Sequence, residues 1–80
     1  MLLALGIGHS NISMGIFHGD SLLLRGKISA QTGRSADEYA VTLNDLLRLE
    51  GVARDGLTGC VLSSVAPALT GLLESAVRRL

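Results

Sequence analysis

Eighty residues make one domain or a piece of one, and a chain this short buries only about 60–65% of its unfolded surface. Seven basic and seven acidic side chains cancel, which leaves neither a basic stripe for nucleic acid nor an acidic tail. Cys60 is the single cysteine, so the chain has no internal disulfide and no cysteine metal cluster, a composition that suits a reducing cytosol.

The N-terminus lacks a basic region ahead of an apolar run, and Asp20 arrives early, so a signal peptide is not expected. No apolar run reaches transmembrane length. These features predict a cytoplasmic protein with neither nucleic acid nor membrane as partner. With one Phe, one Tyr and no Trp, the core is expected to be aliphatic.

Leu2–Ile7 is a nearly continuous apolar run, the pattern of a central strand buried on both faces. Gly8, His9, Ser10 and Asn11 form a tight polar turn. Ile12–Phe17 then alternates, with Ile12, Met14 and Ile16 on one side. His18-Gly19-Asp20-Ser21 is a second turn, with Gly19 suited to positive φ. Ser21–Ile28 follows as a third strand. Strict alternation puts Leu22, Leu24 and Ile28 on one face and Leu23, Arg25 and Lys27 on the other.

Ser29–Arg34 is a polar connection. Ser35-Ala36-Asp37-Glu38 is a capping box, with Ser35 as the cap and Glu38 reaching back. Tyr39, Leu43, Leu46, Leu47 and Glu50 fall at helical spacing, and Gly51 stops the helix. Val52–Thr58 reads as a loop and Gly59–Val65 as a second buried strand. Pro67 opens a second helix, where Leu69, Leu72, Leu73, Ala76, Val77 and Leu80 share a face. Arg78 and Arg79 lie in its last turn, where positive charge suits the helix dipole.

The element order is β-β-β-α-β-α: an antiparallel meander, then a helical crossover that sets the fourth strand parallel to the first. The chain closes inside an amphipathic helix without a polar tail, which predicts a fragment of a longer protein.

Gly6-Ile7-Gly8 does not open a dinucleotide fingerprint. Asn11 holds the third glycine position, and the residues that follow alternate at period two rather than opening a helix. No Gly-Lys-Ser/Thr sequence exists, so a P-loop is excluded. Two readings of the Gly8–Asn11 turn stand. In one it cradles phosphate, with Gly8 admitting close approach, Ser10 and Asn11 supplying hydrogen bonds, and successive amides facing an anion. In the other it is an ordinary hairpin turn, whose chemistry accounts for each residue.

His9 and His18 sit in turns with no third ligand nearby, which argues against a metal site. Cys60 reads as a small core residue. Asp37 and Glu38 are explained by helix capping, and Asp20 by its turn. Ser63 and Ser64 either cap the second helix, the commoner use of serine, or face a cleft at the strand's carboxyl end.

The segments LLALGIGHSNISMGIFHGD, RSADEYAVTLNDLL and GCVLSSVAPALTGLLESAVRRL, taken together over essentially the whole chain, resemble the N-terminal part of type III pantothenate kinases. The resemblance implies an α/β fold, the β-β-β-α-β-α first subdomain of an actin-like ATPase (ribonuclease H-like) fold with a mixed sheet. Residues 1–80 would form the N-terminal ATP-binding subdomain of a longer two-domain chain. It implies transfer of the ATP γ-phosphate to pantothenate, the first step of coenzyme A synthesis, by a homodimer that uses Mg2+ and a monovalent cation, potassium or ammonium.

The family's first phosphate motif, Asp-x-Gly-Asn-Thr-Asn, falls on Gly6-Ile7-Gly8-His9-Ser10-Asn11. The ATP phosphate loop implied here is Gly6, Ile7, Gly8, His9, Ser10, Asn11, Ile12 and Ser13. Gly8 and Asn11 match, and Ser10 keeps the hydroxyl. Gly6 and His9 depart, and glycine can neither ligate a cation nor orient its waters. The family's catalytic aspartate falls beyond residue 80, so no catalytic and no metal residue is assigned, and the isolated chain is expected to be inactive. Ser63, Ser64 and Pro67 resemble the family's Ser-Ser-Val-hydrophobic-Pro segment.

Two alternatives accompany this reading. One is a non-catalytic relative, either an accessory regulator of transcription on the same scaffold or a degraded gene fragment. The other is a self-associating fragment, whose second helix carries an apolar stripe without a partner.

Overall fold

The computed structural model describes residues 1–31 and 33–80. Thr32, inside the expected polar connection Ser29–Arg34, lies outside the described residues. The elements are β1 (Leu2–Ile7), β2 (Asn11–His18), β3 (Ser21–Ser29), α1 (Ala36–Leu49), β4 (Gly59–Ser64) and α2 (Pro67–Arg78), with one 3-10 turn at Arg54–Gly56 inside the expected loop. The strands form one mixed sheet in the order β3-β2-β1-β4. β1 pairs antiparallel with β2 and parallel with β4, as the crossover requires.

Local chemistry explains the element ends. The Ser35 hydroxyl accepts from the Glu38 amide at 3.1 Å, and the Glu38 carboxylate accepts from the Ser35 amide at 2.9 Å. This capping box satisfies two amides that the first helical turn leaves free. Gly19 and Gly51 hold φ of +62° and +73°, left-handed conformations that a Cβ would strain.

The core lies on one side of the sheet. Leu3, Leu5 and Ile7 of β1 and Ile12, Met14 and Ile16 of β2 meet Tyr39, Leu43 and Leu47 of α1 and Leu69, Leu73 and Ala76 of α2. The Tyr39 hydroxyl, brought inside with its ring, donates to the Gln31 carbonyl at 2.6 Å and accepts from the Gln31 amide at 2.8 Å. Its polar end is therefore satisfied.

Four expectations need correction. β1 is buried on one face only: Leu3, Leu5 and Ile7 are inside, whereas Leu2 and Gly6 are exposed, because both helices cover the same side. Leu22 does not share a face with Leu24 and Ile28. The register slips between Ile16 and Phe17, which pair with Leu24 and Leu22, so a bulge at Leu23 turns Leu22 outward beside Gly15 and Phe17. The apolar stripe of α2 has its partner in the shared core, where Leu69, Leu73 and Ala76 are buried. Finally, neither Ser63 nor Ser64 is the N-cap of α2. That residue is Ala66, and it makes no side-chain cap bond. The Ser64 hydroxyl accepts instead from the Ala66 amide at 3.1 Å and from Thr70 Oγ1 at 2.9 Å, closing a tight turn before Pro67.

Candidate functional site

Three connections meet at the carboxyl ends of the parallel strands β1 and β4. The β1–β2 turn is closed by the Gly8 amide donating to the Asn11 carbonyl at 2.9 Å. The chain leaving β3 is tied to that turn by the Ala30 amide, which donates to the Ser10 carbonyl at 3.0 Å. The chain leaving β4 is tied to β1 by the Val65 amide, which donates to the Ile7 carbonyl at 3.0 Å. Carboxyl ends of parallel strands are where open α/β sheets bind ligands, because the loops leaving them diverge to either side.

The residues singled out from sequence divide in two. His9, Ser10, Asn11 and Ser13 are exposed, and Gly8 is half-buried. The His9 and Ser10 amides have no hydrogen-bond partner among the described residues and are available to an anion. Gly8 has a steric reason to be glycine: a Cβ there would stand 3.1 Å from the Asn11 carbonyl oxygen that its own amide holds. Ile7 and Ile12 pair with each other at the root of the turn, with both side chains in the core. They shape the loop without presenting a side chain to it.

Gly6 faces the outer side of the sheet, across from the helices. Its neighbours in register are Ser13 on β2 and Ser63 on β4, and Ser13 in turn pairs with Lys27 on β3. One row across the outer face therefore reads Ser63-Gly6-Ser13-Lys27, and the next reads Val61-Ala4-Gly15-Arg25. These small side chains leave a shallow hollow of about 350 Å3, lined among others by Ala4, Gly6, Ser13, Gly15, Arg25 and Ser63. Arg25 and Lys27 of β3 stand on this same outer face, opposite Gly15 and Ser13. Period-two alternation in β3 is what places both on the face of Gly6.

Other polar groups do not join this site. His18 is exposed at the far end of β2. Glu38 is held below the ordinary glutamate range by the backbone hydrogen bond from Ser35, then by the Ser35 hydroxyl and by the nearby Arg34 charge. This is capping chemistry at the start of α1. Asp37 forms an exposed ion pair with Arg79 just past α2. Cys60 is half-buried at the edge of the core, and burial pushes its thiol upward. It lines a separate hollow of about 310 Å3 near the amino ends of β1 and β4, with Leu3, Arg54, Leu57, Val77 and Leu80. Among the described residues, no group of three or more His, Cys, Asp or Glu side chains converges as a metal site, and no helix is long and apolar enough to cross a membrane.

Comparison with known proteins fits this architecture. The family model for type III pantothenate kinase matches residues 2–80. The chain is 42% identical to the type III pantothenate kinase of Geotalea daltonii over 74 residues, covering 92% of this chain and 29% of that protein. It is 40% identical to the Geobacter sulfurreducens enzyme over the same shares. It is 37% identical to that of Geotalea uraniireducens over 79 residues, covering 99% of this chain and 31% of the relative. The chain thus spans about 30% of the length of the curated relatives it matches. With the mixed β3-β2-β1-β4 sheet and its two helices in the order of an N-terminal actin-like ATPase subdomain, the chain belongs to the type III pantothenate kinase family.

Proposed function

We propose that residues 1–80 form the phosphate-binding first subdomain of an ATP-dependent pantothenate kinase that acts at the first step of coenzyme A synthesis in the cytoplasm. The observation that carries this reading is the family match over the whole chain, with the exposed Gly8–Asn11 turn standing at the carboxyl ends of β1 and β4. The phosphate loop is Gly6–Ser13. The amides of His9 and Ser10 and the side chains of Ser10, Asn11 and Ser13 face the ligand, and Ile7 and Ile12 anchor the loop in the core. The activity also requires the sequence that the relatives carry beyond this segment, together with the homodimer and the monovalent cation implied by family membership.

Mg2+ does not fit the residues present. Gly6 offers no oxygen ligand from its side chain, and the strands β1–β4 contain no Asp or Glu. Phosphoryl transfer needs its charge neutralised, so the isolated chain is expected to lack kinase activity. The test is ADP formation by the purified chain with ATP and pantothenate. Background rates are expected, and pantothenate-dependent turnover would show that the chain suffices for catalysis.

The missing carboxylate favours a second reading, a non-catalytic relative that retains the scaffold. Calorimetry with ATP separates the two: binding supports the kinase subdomain, and no binding supports the non-catalytic relative.

A further inference from the structure

Tyr39 carries an oxygen that core packing does not account for. Its ring is fully enclosed in the first turn of α1, where the Tyr39 amide donates to the Ser35 carbonyl at 3.2 Å. The Arg34 guanidinium lies over the ring, 4.9 Å from its centre, and donates to Thr42 Oγ1 at 2.6 Å. A phenylalanine ring would fill the same space. The hydroxyl instead reaches out of the core to a single residue, accepting from the Gln31 amide at 2.8 Å and donating to the Gln31 carbonyl at 2.6 Å. Gln31 adjoins Ala30, whose amide donates to the Ser10 carbonyl at 3.0 Å. Ser10 belongs to the β1–β2 turn that the Gly8 amide closes on the Asn11 carbonyl. A continuous line of bonds therefore runs from a fixed ring in the core, through Gln31 and Ala30, to the tip of an exposed turn.

We infer that Tyr39 is a positioning residue for the β1–β2 turn, and that its hydroxyl acts through Gln31 and Ala30 on the Ser10 carbonyl. The inference rests on the phosphate-loop reading above for what the turn binds, and adds which residue holds the turn in place. Gln31 is exposed, so without the hydroxyl its amide and carbonyl turn to water. The connection leaving β3 then comes away from α1, and the turn loses its tether. A turn of short exposed side chains opens locally at small cost. A ligand that must meet the His9 and Ser10 amides together binds only the fraction of molecules in which the turn is held, so the tether raises affinity without touching the ligand.

The experiment compares amide hydrogen exchange, read by NMR on the whole chain, in wild type, Tyr39→Phe and Ala76→Gly. The last variant weakens α2 and touches no part of the line. In Tyr39→Phe the Ala30 and Gly8 amides are expected to exchange about tenfold faster or more, beyond any change at the paired amides of β1 and β4. In Ala76→Gly the Ala30 and Gly8 amides should change no more than those of the strands. Calorimetry with Mg2+ and ATP supplies the second reading: Tyr39→Phe is expected to bind about threefold more weakly or worse, and Ala76→Gly as wild type does. If Tyr39→Phe leaves Ala30 and Gly8 unchanged, or speeds all amides alike, the hydroxyl serves stability alone and the inference is overturned. Equal ATP affinity in Tyr39→Phe and wild type also overturns it, and the nucleotide reading stands. If wild type binds no ATP, the nucleotide reading falls, and the exchange pattern alone decides whether Tyr39 holds the turn.

Discussion

The two faces of the sheet are made from the same strands and are built to opposite ends. On the inner face Leu3, Leu5, Ile7, Ile12, Met14 and Ile16 lock into α1 and α2 and are almost fully buried. On the outer face the alternate positions Ala4, Gly6, Ser13, Gly15, Arg25 and Lys27 are small, polar or cationic, with Leu2, Phe17 and Leu22 gathered at the end away from the turn. The inner face is bulky and apolar because packing density stabilises it. The outer face carries small side chains near the turn, and these leave a shallow hollow there. A period-two strand supports both tasks because neighbouring side chains never compete for one surface.

The widest break in this comparison comes from truncating an aliphatic side chain to alanine on each side. Leu43→Ala empties a fully buried site beneath the inner face and is expected to cost about 2–5 kcal/mol. Val61→Ala removes a side chain 53% exposed on the outer face and should stay within about 0.5 kcal/mol. Urea denaturation of both variants checks the difference, and equal losses would mean that the outer face is packed as tightly as the core.

Next in size is Gly6→Asp. A Cβ at position 6 meets only Ser13 Cβ, at 3.9 Å, so the substitution fits the fold. It adds a carboxylate to a face that has none, and in the full-length protein it is expected to strengthen Mg2+-ATP binding by about 1–3 kcal/mol. Calorimetry that finds equal affinities would place position 6 away from the phosphates.

Smaller effects belong to the helical side. Ser35→Ala removes the cap of α1 and is expected to cost about 1 kcal/mol in a denaturant titration. Its partner Glu38 adds a pH dependence of definite sign. Its carboxylate has a lower pKa folded than unfolded, so its contribution is complete above the unfolded value, about 4.3, and is lost as pH falls through the folded one. Melting curves of wild type and Glu38→Gln should draw together as pH falls below the ordinary glutamate range; a gap that persists at low pH would show that the capping box does not depend on charge. The smallest effect is expected for Asp37→Asn. The pair with Arg79 is solvent-exposed and should contribute less than about 0.5 kcal/mol, measured as a shift in Tm that salt abolishes.

What could be read in advance was whatever a few adjacent residues decide. The capping box at Ser35 and Glu38, the glycines of positive φ at 19 and 51, and the strand-turn-strand of residues 2–18 depend on near neighbours, and each formed as its local chemistry dictates. The parallel pairing of β4 with β1 followed from the crossover. The Gly8–Asn11 turn was visible as a turn, while its reading as a phosphate loop came from the family resemblance, since turn chemistry accounts for the same residues. The roles of Ser64 and Leu22 were not legible. Ser64 sits where two strands and a helix start converge, and its hydroxyl went to Ala66 and Thr70. Leu22 obeyed the alternation of β3 only as far as the bulge, and a bulge is a property of a strand pair rather than of one strand.

The sequence by itself determined the elements, their order and the kinship of the chain, because propensity, capping and periodicity act over a few residues and motifs survive as words. Only the tertiary structure decided which face of the sheet is covered. Both helices pack on one side, so β1 is half-buried despite its unbroken apolar run, and Gly6, Ser13, Arg25 and Lys27, scattered over three strands, come to share one open surface. Register places them together, and register is set by pairing across the sheet, which no single stretch of the chain encodes.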